Sequence, residues 1–196
     1  MAKFDHFDFL APLYDWVIHP REPEMLRSLI DFNGCGLVLD AGGGTGRISQ
    51  FLCNAQRDVV IVDLSFRMLQ KAVEKKNLDV ICAPIEKLPF RDGAFSCIIM
   101  VDALHHVIDQ SATAAELWRV LGKDGRLIIE EPDIEKLAVK MIALAEKMAL
   151  MRSHFLKAEV IAGFYENLDA KISIERAANN CWIVVEIGRA SCRERV

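Results

Sequence analysis

The chain has 196 residues, 52% of them hydrophobic, and a formal net charge of −4. A chain of this length and composition can bury one full core, so we predict a single globular domain. Its lysines and arginines are scattered and outnumbered by acids, which argues against a nucleic-acid-binding surface, because such a surface needs clustered positive charge.

Short apolar runs alternate with helical patterns from residue 37 onward. The runs predict five strands, at 37–40, 58–63, 80–83, 95–101 and 126–130. Helical spacing predicts one helix over 45–55 and a second that begins at Ser65. A third predicted helix ends at Leu121, and Thr113 and Glu116 form a capping box at its N-terminus. Apolar strands that alternate with helices are typical of a parallel sheet covered on both faces. The predicted fold is therefore a doubly wound α/β sheet.

The segment after the fifth strand carries two apolar helical faces. The first belongs to a long amphipathic helix and consists of Ile134, Leu137, Ala138, Met141, Ile142, Ala145 and Met148. The second lies within HFLKAEVIAGFYENL, residues 154–168. We interpret 134–168 as a helical cover over a substrate pocket, which favours a small hydrophobic or aromatic substrate. The alternative is that both faces are ordinary core packing.

The last ten residues, IGRASCRERV, resemble the translation of a common sequencing adapter. We predict that 187–196 is an adapter-derived or cloning-derived scar and that the domain comprises residues 1–186.

The cysteines and the N-terminus bear on location. None of the six cysteines belongs to a CxxC pair, which argues against structural zinc and suits a reducing compartment. The sequence MAKFDHFDF has acids where a signal peptide needs an apolar stretch, and no window is apolar enough to span a membrane. We expect a cytoplasmic protein with no metal site.

Four glycines follow the first strand in LDAGGGTG, residues 39–46. In a doubly wound sheet the ligand binds beyond the carboxyl ends of the strands, where the strand order reverses. A P-loop would need GxxxxGK[ST] and a dinucleotide site GxGxxG, whereas this series is Gly42, Gly44 and Gly46. Asp40, just before the turn, suits a cationic ligand better than a pyrophosphate. S-adenosylmethionine, which has an ammonium and a sulfonium group, meets that requirement.

Four motifs in order, LDAGGGTG, VVIVDLS, IEKLPFRDG and VDALHHVID, resemble those of class I S-adenosylmethionine-dependent methyltransferases of the ubiquinone/menaquinone-biosynthesis type. The resemblance covers about residues 4–132. It implies S-adenosylmethionine as cofactor and a small-molecule methyl acceptor. It also implies a seven-stranded sheet whose last two strands form an antiparallel pair, and Lys171–Glu175 and Cys181–Ile187 fit that role.

The resemblance also implies a cofactor site. Asp40, Gly42, Gly44 and Gly46 would surround the methionine part, and Asp63 would accept hydrogen bonds from both ribose hydroxyls. The other implied contacts are Leu64 and Met68 beside the adenine and Tyr14 in an N-terminal lid, residues 1–33. The chain has Pro84 where the family usually has an aspartate for the adenine amino group, so we expect that contact from the Ile85 backbone or from Glu86. Met68 could equally be a core residue.

Methyl transfer needs mainly positioning, because the sulfonium is already a good leaving group. A base is required only if the acceptor must lose a proton. Asp102 and His105 follow the fourth strand, at the mouth of the predicted site, and are the catalytic candidates; His106 is the weaker one. The alternative for each histidine is a packing or surface role.

Two other functions remain open at this point. A nicotinamide-dependent oxidoreductase is disfavoured because both GxGxxG and a Tyr-x-x-x-Lys pair are missing. A protein that binds S-adenosylmethionine without catalysis would carry the same motifs. Binding of S-adenosylhomocysteine against NAD tests the first alternative, and turnover tests the second.

Overall fold

The computed structural model describes residues 24–30, 36–52, 58–148 and 153–187. Most of the predicted N-terminal lid, Tyr14 included, and nearly all of the predicted scar lie outside the described residues. The strands are β1 Leu37–Ala41, β2 Asp58–Asp63, β3 Leu78–Cys82, β4 Phe95–Val101, β5 Leu121–Pro132, β6 Ala170–Ala177 and β7 Asn180–Ile187. The helices are α1 Glu24–Leu29, α2 Phe66–Val73, α3 Gln110–Val120, α4 Leu137–Met148 and α5 Ala158–Gly163. Three short 3₁₀ helices are Ser49–Phe51, Ile85–Lys87 and Leu104–His106.

The seven strands form one sheet in the order β3-β2-β1-β4-β5-β7-β6. The pairs among β1 to β5 are parallel, whereas β7 runs antiparallel to both β5 and β6. The predicted α/β sheet with an antiparallel last pair is confirmed. The strand order reverses between β1 and β4, which pair directly, with Asp40 opposite Ile99. The carboxyl ends of these two strands therefore open onto one crevice.

The central strands are buried on both faces of the sheet, as their unbroken apolar sequences predict. One face carries Leu39, Ile98 and Leu127 and is covered by α3 and α5. The other face carries Val38, Ile99 and Ile128 and is covered by α1 and by the segment after the glycine turn. Two layers of core hold the central strands in register, and they hold the residues at the strand ends in place as well.

The predicted α-helix over 45–55 is wrong for the part that the structure describes. Residues 45–48 form turns and Ser49–Phe51 a 3₁₀ helix, in which the Phe51 amide donates to the Ile48 carbonyl at 2.9 Å. The apolar residues Ile48 and Leu52 are nevertheless buried. The helical spacing therefore predicted the buried residues correctly but not the type of helix. The observed 3₁₀ helix follows a turn with three glycines at positive φ.

The predicted capping box of α3 is also wrong. The helix begins earlier, at Gln110, and its N-cap is Asp109, whose Oδ1 accepts from the Ala112 amide at 2.9 Å. Asp109 has the extended backbone that an N-cap requires. Thr113 lies inside the helix and is fully buried, while Glu116 pairs with Arg119.

Candidate functional site

The glycine turn after β1 is packed tightly against its surroundings. Gly42, Gly44 and Gly46 have φ values of 78°, 54° and 71°, a region that side chains rarely adopt. A Cβ atom on Gly42 would lie 2.6 Å from Cβ of Ala103, in the segment that follows β4. The turn therefore requires glycine both for its backbone and for its close approach to the neighbouring strand end.

Gly43 also belongs to this site, although sequence reasoning did not single it out. A Cβ atom there would lie 2.6 Å from both Cγ and Oδ2 of Asp40 and 2.9 Å from Cγ2 of Ile61. The turn thus folds directly over the carboxyl group of Asp40. The sequence contains a usable signal for Gly43, because the G-x-G-x-G pattern allows any residue at this position and the chain has a glycine there too, which makes three consecutive glycines.

Asp40 is an acid buried beneath the turn. Its Oδ2 accepts from the Ser49 hydroxyl at 2.5 Å. Burial raises its pKa from 3.8 to about 6, against the opposing effects of Ser49 and Arg47, and Asp63 contributes in the same direction as burial. A buried carboxyl with a raised pKa gains free energy from a cation placed nearby, so Asp40 suits a positively charged ligand.

Asp63, at the end of β2, is held in a fixed orientation. Its Oδ2 accepts from the Gly44 amide at 2.9 Å and its Oδ1 from the Ser65 amide at 2.7 Å. A carboxylate oxygen has two lone pairs and can accept more than one hydrogen bond. The structure brings Asp63 to the glycine turn, where the two oxygens could receive a pair of hydroxyl groups.

The predicted adenine contacts lie at different depths. Leu64 is 63% exposed, Ile85 is 7% exposed, and Met68 at 2% is buried with the core. Cδ1 of Ile85 lies 3.4 Å from the position of a Cβ on Gly42, so this residue borders the turn. Oε1 of Glu86 accepts from the Ile108 amide at 3.2 Å.

Arg119 on α3 anchors the segment that contains Ile85. Its guanidinium donates to the carbonyls of Leu88 and Phe90, at 3.2 and 2.8 Å, and Oε1 of Glu116 accepts from the Leu88 amide at 2.6 Å. These hydrogen bonds fix the backbone at the adenine side of the predicted site.

Asp102 follows β4 with a φ of 51°, and its amide donates to the Glu130 carbonyl at 3.0 Å. Its side chain pairs with Arg47 from the glycine turn, with 2.6 Å between the guanidinium nitrogen and Oδ2. Arg47 was not predicted as a site residue. The pair brings the predicted catalytic acid to the glycine turn.

His105 is buried and pairs with Glu131 at the end of β5. Its Nδ1 lies 2.5 Å from Oε2 of Glu131, and the side chains are 5% and 3% exposed. Oε1 of the same glutamate accepts from the amides of Ala103 and Leu104, at 3.1 and 2.8 Å. Sequence reasoning missed Glu131, although two consecutive acids at the end of a buried strand, in LIIEEP, were a usable signal.

The segment after α4 is attached to the loop that carries His105. The His154 amide donates to the His105 carbonyl at 2.7 Å, and the Phe155 ring stacks on the His105 ring at a centroid distance of 4.3 Å. His106 lies beside them. Burial lowers the pKa of His106 to about 3, and repulsion between the protonated forms of the two neighbouring rings acts in the same direction. His106 is therefore neutral near pH 7.

Three other properties of the described residues bear on function. No helix in the four described ranges combines the length and the apolar character needed to cross a bilayer. Within the same ranges, no three His, Cys, Asp or Glu residues lie together as a metal-binding group. Also within these ranges, Cys82, Cys97 and Cys181 form no disulfide bond.

Residues 39–129 match the family described as "Methyltransferase domain". A ubiquinone/menaquinone biosynthesis C-methyltransferase from Geotalea uraniireducens is 28% identical over 182 residues, which are 84% of this chain and 74% of that protein. The protein of the same name from Citrifermentans bemidjiense is 30% identical over 142 residues, covering 64% of this chain and 60% of its own length. A crystal structure of an S-adenosylmethionine-dependent methyltransferase from Thermotoga maritima superposes with a TM-score of 0.78 at 19% identity, covering 93% of this chain and 98% of that one.

Proposed function

The chain belongs to the class I S-adenosylmethionine-dependent methyltransferases, and we propose that it methylates a small hydrophobic or aromatic molecule. Its cofactor is S-adenosylmethionine. The cytoplasmic location expected from the sequence is part of the same proposal.

The observation that carries the choice of acceptor is the apolar surface of α4. Leu137, Met141, Ile142 and Leu144 are each more than half exposed, while Val139 is the buried residue among 137–144, the part of this helix whose burial is described. The chain continues from α4 into the segment that stacks Phe155 on His105. An exposed apolar face that leads to a catalytic candidate suits a hydrophobic acceptor. The relatives are named for C-methylation in quinone biosynthesis, which supports an aromatic carbon as the methylated atom.

The residues present fit the cofactor. Asp40 provides a buried carboxyl for the ammonium end, and the glycine turn lets the backbone approach closely. Asp63 offers both carboxylate oxygens to the ribose hydroxyls. Leu64 and Ile85 would border the adenine, with Met68 beneath them, and Tyr14 stays a prediction outside the described residues. When bound, S-adenosylmethionine supplies a methyl group activated by the adjacent sulfonium.

We assign the proton-transfer role to His105. A phenol or an activated ring carbon must lose a proton as it gains the methyl group, and an imidazole can accept it near neutral pH. Asp102, joined to Arg47, would orient the acceptor at the mouth of the site. The remainder of the rate acceleration would come from alignment of acceptor and methyl group.

The test is transfer of a radiolabelled methyl group to a panel of acceptors. We expect labelling of substituted phenols and hydroquinones with apolar tails, and none of equally sized charged aromatics. Calorimetry should show binding of S-adenosylhomocysteine but not of NAD. Binding without labelling of any acceptor in the panel would overturn the catalytic proposal.

A surface variant tests the role of α4. Met141→Gln combined with Ile142→Gln should raise KM for the apolar acceptor while leaving S-adenosylhomocysteine binding unchanged. Val73→Gln is the matched control, because Val73 is equally exposed but lies on α2. An unchanged KM in the α4 variant would show that this helix does not bind the acceptor.

A further inference from the structure

Glu131, at the end of β5, has hydrogen-bond partners on both carboxylate oxygens. One carboxylate oxygen accepts from two consecutive backbone amides, of Ala103 and Leu104, and the other faces Nδ1 of His105 at 2.5 Å. The carboxylate therefore contacts both the backbone that leads to His105 and the ring itself. A residue needed only for packing at this place could be apolar and would avoid the cost of burying a charge.

From this geometry we infer that Glu131 is the positioning residue of His105, and that Nε2 of His105 is the atom that takes the proton of the methyl acceptor. The inference rests on the proposed function, in which His105 is the base. It goes further by assigning the tautomer of His105 and by naming Glu131 as its partner, and the sequence motifs predict neither.

The tautomer follows from the chemistry of the partner. A carboxylate can only accept, so the atom that faces it must be an N–H. With the proton on Nδ1, the lone pair of the neutral ring is on Nε2. A buried amide or hydroxyl in place of the carboxylate would not impose this choice, because each of those groups can also donate.

The ring orientation is limited as well. Phe155 stacks on one side of the His105 ring, 15° from parallel, and the His106 ring lies at 3.9 Å between centroids. Rotation of His105 would break the contact with Glu131 and disrupt the stack with Phe155. The ring is thus held before the acceptor arrives, which is what efficient proton transfer requires.

Glu131 also stabilises the product of the proton transfer. As the bond from the acceptor atom to the methyl carbon forms, the bond from that carbon to sulfur breaks and its electron pair stays on sulfur. The acceptor's proton moves to Nε2, which makes His105 an imidazolium. The buried carboxylate opposite Nδ1 compensates that charge, as an aspartate does for the histidine of a serine hydrolase.

The first test is the tautomer of His105, which needs no substrate. Long-range ¹H–¹⁵N NMR spectra of the full chain, assigned by the signals lost in His105→Asn, report which ring nitrogen carries the proton. We expect Nδ1 to be protonated in the wild-type protein at pH 8. A neutral ring protonated at Nε2 would overturn the inference, whatever the activity.

The second test is Glu131→Gln, which keeps an oxygen for the two backbone amides but presents an NH₂ group to Nδ1. We expect the neutral ring to move its proton to Nε2 and kcat to fall by about 10²- to 10⁴-fold. The Kd for S-adenosylhomocysteine should stay within about threefold. Wild-type kcat in a Glu131→Gln protein of unchanged fold would overturn the positioning role.

Two controls keep the outcomes distinct. Glu130→Gln, one residue earlier, alters an acid that accepts from Trp182 and Asn180, and it should leave the His105 tautomer unchanged. Full activity in His105→Asn would refute His105 as the base, and with it the proposed proton transfer to Nε2. The tautomer would still show whether Glu131 positions the ring, so the two failures can be told apart.

Discussion

The guanidinium of Arg47 lies 2.6 Å from Oδ2 of Asp102 and thereby links the glycine turn after β1 to the end of β4. These strands lie on either side of the point where the strand order reverses. The pair is partly shielded from solvent, since the two side chains are 13% and 34% exposed. Arg47 also lowers the pKa of Asp40, so one cation is shared by the acids around the crevice.

A double-mutant cycle should detect this link. Arg47→Gln and Asp102→Asn should each destabilise the protein, with a coupling energy of about 0.5–1.5 kcal/mol in urea unfolding at low salt. Asparagine tolerates the positive φ at position 102, so the variant removes the charge without backbone strain. Strictly additive effects would mean that the ion pair contributes nothing to stability.

Gly43→Ala should disrupt the turn. The new Cβ would lie 2.6 Å from the carboxyl group of Asp40, and we expect a loss of about 1–3 kcal/mol in stability. Binding of S-adenosylhomocysteine should weaken as well. Gly36→Ala is the control, because nothing lies within 4 Å of a Cβ there. Thermal unfolding and calorimetry measure both effects, and similar behaviour of the two variants would contradict the close packing over Asp40.

Asp63→Asn should weaken S-adenosylhomocysteine binding by about 1.5–3 kcal/mol, because the ribose hydroxyls lose a charged acceptor. Asp58→Asn, at the exposed start of the same strand, is the matched control and should bind normally. Isothermal titration calorimetry at fixed salt distinguishes the two. Equal Kd values for Asp63→Asn and the wild-type protein would remove Asp63 from the cofactor site.

Asp40 should make stability depend on pH in the absence of ligand. Its pKa is about 6 in the folded protein against 3.8 as the ordinary value, so the folded state binds the extra proton between these limits. The contribution of this group to stability is therefore retained below pH 4 and lost as the pH rises through about 6. Asp40→Asn should gain as much as about 3 kcal/mol relative to wild type between pH 4 and pH 7.5. Urea unfolding across this range checks the sign, and parallel curves for the two proteins would show that Asp40 is not perturbed.

His105→Asn should separate catalysis from structure. The asparagine amide can donate to Oε2 of Glu131 in place of Nδ1, so the buried carboxylate keeps a partner while Nε2 is removed. We expect kcat to fall by about 10²-fold or more and S-adenosylhomocysteine affinity to change by less than about threefold. The measurement is kcat with a methyl acceptor from the panel. A near-normal kcat would show that His105 does not accept the proton and that catalysis comes from positioning of the substrates.

The strands were the most predictable part of the fold. Asp58–Asp63 and Phe95–Val101 were predicted with their observed bounds, because buried parallel strands are continuous apolar runs. The helix predicted over 45–55 failed for a specific reason. Its apolar spacing is real, but the winding is determined by the glycine turn and by the hydrogen bond between Ser49 and Asp40, which a periodicity does not report.

The geometry of the glycine turn was predictable, because backbone conformation determines the residue type there. Gly42, Gly44 and Gly46 follow from the turn, and Asp63 from its position at a strand end beside it. Arg47 and Glu131 were missed, because each contacts a partner distant in sequence, Asp102 and His105 respectively. Neither partner can be read from local spacing.

The sequence by itself determined the alternation of strands and helices, the glycine turn and the acids next to it, since all of these depend on residues close together in the chain. Only the tertiary structure decided which strand ends meet and which side chain faces which. The physical reason is that the strand order places β4 beside β1 and β5, so that residues from three separate segments share one crevice. Burial raises the pKa of Asp40, and the pairing of β4 with β5 places Glu131 opposite Nδ1 of His105.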